Sequence, residues 1–131
     1  MLPITQDNTW KGNHYLPNEA YSSQYSFSND FLMGDWDYTY SSVDGSLAVK
    51  GKTYNNVVTV DGIDEAFNAS NFNVINSSSI GYINRVQDVY SKNLGLIYQE
   101  FIMWEYQPPN GTNQVGTKVG FGIKRQIIDH N

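Results

Sequence analysis

Between Asp35 and Tyr40 the chain reads DWDYTY, with Trp36, Tyr38 and Tyr40 alternating against Asp35, Asp37 and Thr39. A two-residue period of aromatic and polar positions marks a half-buried strand, because successive strand side chains point to opposite faces. Val43-Asp44-Gly45-Ser46 follows, and its Asp-Gly pair predicts a hairpin turn. The run LAVKGKTYNNVVTV (47–60) supplies return strands, with Gly51 as a bulge or second turn and Asp61-Gly62 closing it. Further on, a strand near 84–91 and one from Leu94 to about Gln107 continue the pattern. Pro108-Pro109-Asn110-Gly111 ends their pairing, since proline has no N–H to give the ladder. KVGFGIKRQII (118–128) is the last strand, with Val119, Phe121 and Ile123 on one face and glycines on the other.

Other stretches lack a clean period. LPITQDNTWKGNHY (2–15) mixes strand and turn formers and is expected to be a short edge element. Residues 17–34 read as a loop, packed down by Tyr21, Tyr25 and Phe27. IDEAFNAS (63–70) is the one expected helix, with Asp64 as its N-cap. These elements predict a single, mainly β domain over residues 1–131. Its expected form is an antiparallel meander of six to eight strands, curved into a sheet or half-barrel, lipocalin-like or a plain meander, around one short helix.

The longest apolar run, YSKNLGLIYQEFIMWEYQ (90–107), splits by parity. Leu94, Leu96, Tyr98, Glu100, Ile102, Trp104 and Tyr106 face one way, and Ile97, Gln99, Phe101, Met103 and Glu105 the other. Both sets are mostly apolar, so the strand is expected to be central and covered on both sides.

Composition narrows the classes. The 131 residues carry a net charge of −5 with eight scattered basic residues, which argues against nucleic acid or an anionic membrane surface as a partner. No stretch approaches the roughly 20 apolar residues of a membrane helix. The chain has no cysteine, which excludes disulfides, thiolate catalysis and cysteine-ligated metals. Only 16% of residues are charged, against about a quarter in typical domains, while asparagine, serine and tyrosine abound. That balance points to an exported β domain of the envelope or the cell exterior.

Five segments carry a family resemblance: LPITQDNTWKGN (2–13), DWDYTY (35–40), KGKTYNNVVTV (50–60), YSKNLGLIYQEFIMWEY (90–106) and GFGIKRQIIDHN (120–131). They resemble the C-terminal domains of small uncharacterised cell-envelope lipoproteins of Bacteroides-type bacteria. Such domains share a Pro-x6-Trp opening, a Gly-x-Thr-aromatic strand entry and a Tyr-Ala-Lys-x-Val-Gly-Leu-Ile segment. Here the last is Tyr90 to Ile97, with Ser91 for alanine and Leu94 for valine. The resemblance implies a periplasmic or outer-membrane surface location. It implies membrane attachment only through a lipid anchor upstream of these residues, because the acceptor cysteine is absent. Met1 directly before Leu2-Pro3-Ile4 reads as a start placed on a trimmed chain.

Reactive constellations are sparse. Glu100 and Glu105 are an odd number of positions apart, so the pleat sets them on opposite faces, and both read as solvated or rim charges. Asp35 and Asp37 share a face, but a calcium site wants six to eight oxygens from a dedicated loop, and no such array exists; a solvent face is the reading. His14 and His130 have no zinc spacing, no G-x-S-x-G elbow appears, and Gly120-x-Gly122 lies within a strand. No catalytic or metal-ligating residue and no cofactor is therefore assigned. The Asn68, Asn76 and Asn110 glycosylation-type triplets are expected by chance in so asparagine-rich a chain.

Aromatic rings remain. Trp36, Tyr38, Tyr98, Trp104 and Tyr106 are the candidate ligand-binding residues, suited to a glycan or an amphiphile if their faces line an open concavity, with core packing as the competing reading. The expected function is a non-enzymatic envelope domain acting in ligand binding or surface assembly. The alternatives are a carboxylate-dependent hydrolase using Asp35, Asp37 and Glu100, and a structural module pairing through its strand edges.

Overall fold

A computed structural model describes residues 4–28 and 32–130. Six strands form one antiparallel sheet: β1 (Thr9–Lys11), β2 (Asp37–Val49), β3 (Lys52–Phe67), β6 (Gly81–Ser91), β7 (Gly95–Gln107) and β8 (Thr117–Gln126), side by side in that order. Between β3 and β6 the chain makes a small separate hairpin, β4 (Ala69–Ser70) and β5 (Asn73–Val74). The protein is thus mainly β, an open meander with β1 and β8 as its edges and no closed barrel.

The turns explain the long strands. Val49 pairs with Lys52, and the two residues between them, Lys50 and Gly51, have φ of 50° and 83°. Two left-handed residues in a two-residue loop make the type of turn whose twist matches the flanking strands. At Asp44-Gly45, where a hairpin turn was expected, β2 continues instead. Asp44 is left-handed, with φ 58°, at a shift of register between Ser42 and Gly45. Asx residues tolerate this conformation in a bulge as readily as in a turn, so the same signal served the other purpose. Asp61-Gly62 likewise sits in a bulge of β3 rather than at its end.

The helix expected over 63–70 does not form. Residues 64–67 pair with β6, Asp64 opposite Arg85 and Phe67 opposite Tyr82, and Ala69 begins β4. Eight residues are too few for a self-supporting helix, whereas the sheet supplies a full ladder and an Arg85–Asp64 ion pair at 2.9 Å. The short helix lies instead at Ser22–Tyr25, inside the stretch read as a loop.

Cross-strand register fixes two faces. On one, Met33, Trp36, Tyr38, Val60, Val86 and Met103 form the main core. The N-terminal segment covers it, with Tyr21 and Tyr25 placing their rings 5.0 and 4.9 Å from Phe121. On the other face two apolar clusters occupy opposite ends. Val57, Val89 and Ile97 pack with Val49 and Tyr54 at one end; Ile83, Ile102, Trp104 and Tyr106 pack beneath the β4–β5 hairpin at the other. Ile97 does not follow the parity expected of it. A shift of register between Val89 and Tyr90 turns it toward Val57 and Val89 rather than toward Phe101. Glu105 is also a correction: it is fully buried, not a solvated or rim charge. Its Oε1 accepts from the Ser28 amide at 3.0 Å and from Gln107 Nε2 at 2.7 Å, so it ties the N-terminal segment to β7.

Candidate functional site

The first half of the sheet carries a groove of about 930 Å³ on its main-core face. Register builds it from the strands upward. Trp10 stands opposite Tyr38, while Tyr40, Val60 and Asp88 share one cross-strand row, and Val58 and Tyr90 share the next. Val58 and Val60 are therefore the floor, and the rings rise around it. Trp10 leans on Tyr40 with centroids 4.6 Å apart, and on Tyr38 at 6.2 Å. Two strand spacings separate Tyr40 from Asp88, roughly 10 Å between backbones.

Polar groups enter from the rim. Asp44 and Asn56 are both left-handed residues, φ 58° and 54°, in the paired irregularity where Gly45 meets Val57. A bulge re-aims side chains, and here both line the groove. Asp88 accepts from Gln99 Nε2 at 3.0 Å and, more distantly, from the Tyr90 hydroxyl at 3.4 Å. Burial, then the nearby Asp88 charge, pushes the Tyr90 phenol above its ordinary value, so it stays a donor. Tyr38 is raised mainly by burial, and its hydroxyl donates to Asn13 Oδ1 at 3.1 Å. That leaves Asn13 Nδ2, buried beside the groove, with no acceptor among the described residues. Buried donors without partners are rare enough to call for an explanation.

A second, acidic cleft of about 770 Å³ opens where β2 and β3 part beyond the Thr39–Asp61 pair. Asp35, Asp37, Asp64 and Glu65 line it with Leu32, Trp36 and Ile63. Asp37 is paired with Lys11 at 2.9 Å and Asp64 with Arg85. Among the described residues no group of three or more His, Asp or Glu is placed to hold a metal ion. Glu100 belongs elsewhere. It is three strands from β2, at least about 14 Å by strand spacing, and so is not brought together with Asp35 and Asp37.

The five candidate ligand-binding residues are scattered. Trp36 and Tyr38 are in the main core, Trp104 and Tyr106 in the cluster under the β4–β5 hairpin, and Tyr98 against the third cluster. Tyr106 is pinned by its hydroxyl to the Ser77 carbonyl at 3.0 Å. Tyr98 donates to Glu100 Oε2 at 2.7 Å, and burial with that acceptor pushes its phenol up to about 12. Of the five, Tyr38 alone lines the groove, and Trp36 lines the acidic cleft.

Sequence reasoning did not assemble Trp10, Asn13, Asp44, Asn56, Asp88 and Tyr90. Trp10 sits in the edge element, three residues before Asn13, and nothing in its local period announces a site. The usable signal was Asp44 and Asn56, Asx residues interrupting strand patterns, which mark bulges as well as turns. Compared with protein-family models, curated proteins and solved structures, the chain has no match.

Proposed function

We propose that this domain is a non-catalytic ligand-binding module of the cell envelope, and that its site is the Trp10–Tyr40–Tyr90 groove. One observation carries the reading: the groove brings the Trp10, Tyr40 and Tyr90 rings together with the polar side chains of Asp44, Asn56 and Asp88. Its volume falls within the range of about 300–1,000 Å³ typical of small-molecule sites. The envelope location rests on the lipoprotein resemblance and on the low charge content.

Binding is favoured over pairing through strand edges. β8 is the long open edge, and it exposes Lys118, Lys124 and Arg125. Charges of this kind on an edge strand discourage addition of another strand.

The test is a two-dimensional NMR screen of the isotope-labelled chain against a fragment set of saccharides and amphiphiles. The Trp10 indole and the Tyr40, Asp88 and Tyr90 amides are expected to shift together with at least one probe class. Shifts confined to the acidic cleft or to β8, or none at all, would overturn the assignment.

A further inference from the structure

We infer that the ligand of this groove is a neutral pyranose, as a free sugar or the terminal unit of a glycan; the inference rests on the groove being a binding site. The argument is a matching of donors and acceptors. Asp88 and Asp44 offer carboxylate oxygens, and Asp44 has no hydrogen-bond partner among the described residues. Asn56, at the exposed rim, offers an amide with both a donor and an acceptor. A cation would satisfy the carboxylates and leave the Asn56 amide donor unmet. An anion would face two carboxylates, with Lys92 the single cation lining the groove among the described residues. A hydroxyl both donates and accepts, so adjacent ring hydroxyls answer both demands at once.

The apolar part of the groove fits the same ligand. Trp10, Tyr40 and Tyr90 line the groove as separate rings, not as a continuous hydrocarbon wall, and Asp88 interrupts the floor next to Val60. A pyranose has apolar C–H faces to lay on rings and a polar edge to turn toward Asp88. An alkyl chain would cover that carboxylate without adding a hydrogen bond to those from Gln99 and Tyr90, which is costly. Gln99 holds Asp88 in place, so the acceptor is set before the ligand arrives.

The test titrates the chain with methyl α-mannopyranoside, methyl β-galactopyranoside and methyl β-glucopyranoside, each followed at the Trp10 indole by NMR. Parallel arms use glucuronate and dodecyltrimethylammonium. At least one methyl pyranoside is expected to shift Trp10 and Asp88 saturably, with at least tenfold weaker binding in Asp88→Asn. Asp44→Asn, at an exposed position, serves as a second variant should Asp88→Asn misfold, and is expected to weaken binding in the same direction. A shift with dodecyltrimethylammonium or glucuronate and with no methyl pyranoside would overturn the neutral-pyranose inference while leaving the binding reading intact. No shift with any probe would overturn both. Pyranoside binding unchanged in both variants would also overturn the inference.

Discussion

The backbone amide of Ser28 donates to Oε1 of Glu105 at 3.0 Å, although 77 positions separate the two residues. Glu105 is fully buried, and Gln107, which also bonds it, reaches the Ser26 carbonyl at 3.0 Å. The Glu105 carboxyl group is thus the fastening between the N-terminal cover and β7, the strand beside the β8 edge.

Glu105→Ala is expected to cost about 2–4 kcal/mol, because it removes the bonds to Ser28 and Gln107 and empties a fully buried position. Chemical denaturation measures it. Loss of amide protection should concentrate on residues 20–28, and a loss below about 0.5 kcal/mol would show that the fastening is not needed.

Two glycines of β8 should answer alanine differently. A Cβ on Gly120, whose φ is 129°, would collide with the Met103 carbonyl oxygen, whereas one on Gly122 would meet only Ile102 Cγ1 at 3.6 Å. Gly120→Ala is expected to destabilise by at least about 2 kcal/mol and Gly122→Ala by less than about 1 kcal/mol. Equal melting temperatures for the two variants would contradict the geometry.

Trp104 is 9% exposed among Ile83, Ile102 and Tyr106, with Phe72 edge-on at 6.2 Å. Trp104→Ala is expected to cost about 3–5 kcal/mol, as for other large core truncations. The groove lies on the opposite face, so pyranoside shifts at Trp10 should persist wherever the variant remains folded.

The Tyr98 phenol is pushed up to about 12 by burial and by its bond to Glu100, against an ordinary value near 10. Between those values the unfolded chain has released a proton that the folded chain keeps, so stability falls as pH rises from about 10 to 12 and is fully present below 10. Tyr98→Phe should flatten that alkaline fall in denaturation midpoints. Tyr38 and Tyr90, also raised, should keep it from vanishing. An unchanged slope would remove Tyr98 from the account.

Most of the sheet was legible because its signals are local and periodic. Asp37–Val49, Gly81–Ser91 and Gly95–Gln107 all extend cores that alternation or continuous apolarity had marked. What was illegible depends on pairing between distant segments. Ile63-Asp64-Glu65-Ala66 carries no decisive period, and β6 alone decides that it is strand. The buried state of Glu105 depends on Ser28, far away in sequence. Tyr38 was chosen as a candidate by parity and does line the groove, yet Trp10 and Asp88 reach it only through β1 and β6. A site assembled from four strands has no single stretch of sequence that spells it.

β1 is three residues long, held by pairs from Thr9–Thr39 to Lys11–Asp37 and by two further backbone bonds joining Asp7 and Asn8 to Tyr40. So short an edge opens first in local fluctuations. Each opening carries Trp10 away and dismantles one wall of the empty groove. Measured affinity is then the intrinsic affinity scaled by the fraction of time β1 is docked. A bound ligand would slow amide exchange at Trp10 and Lys11 before it altered any strand at the centre, making the rim of the sheet a gauge of occupancy.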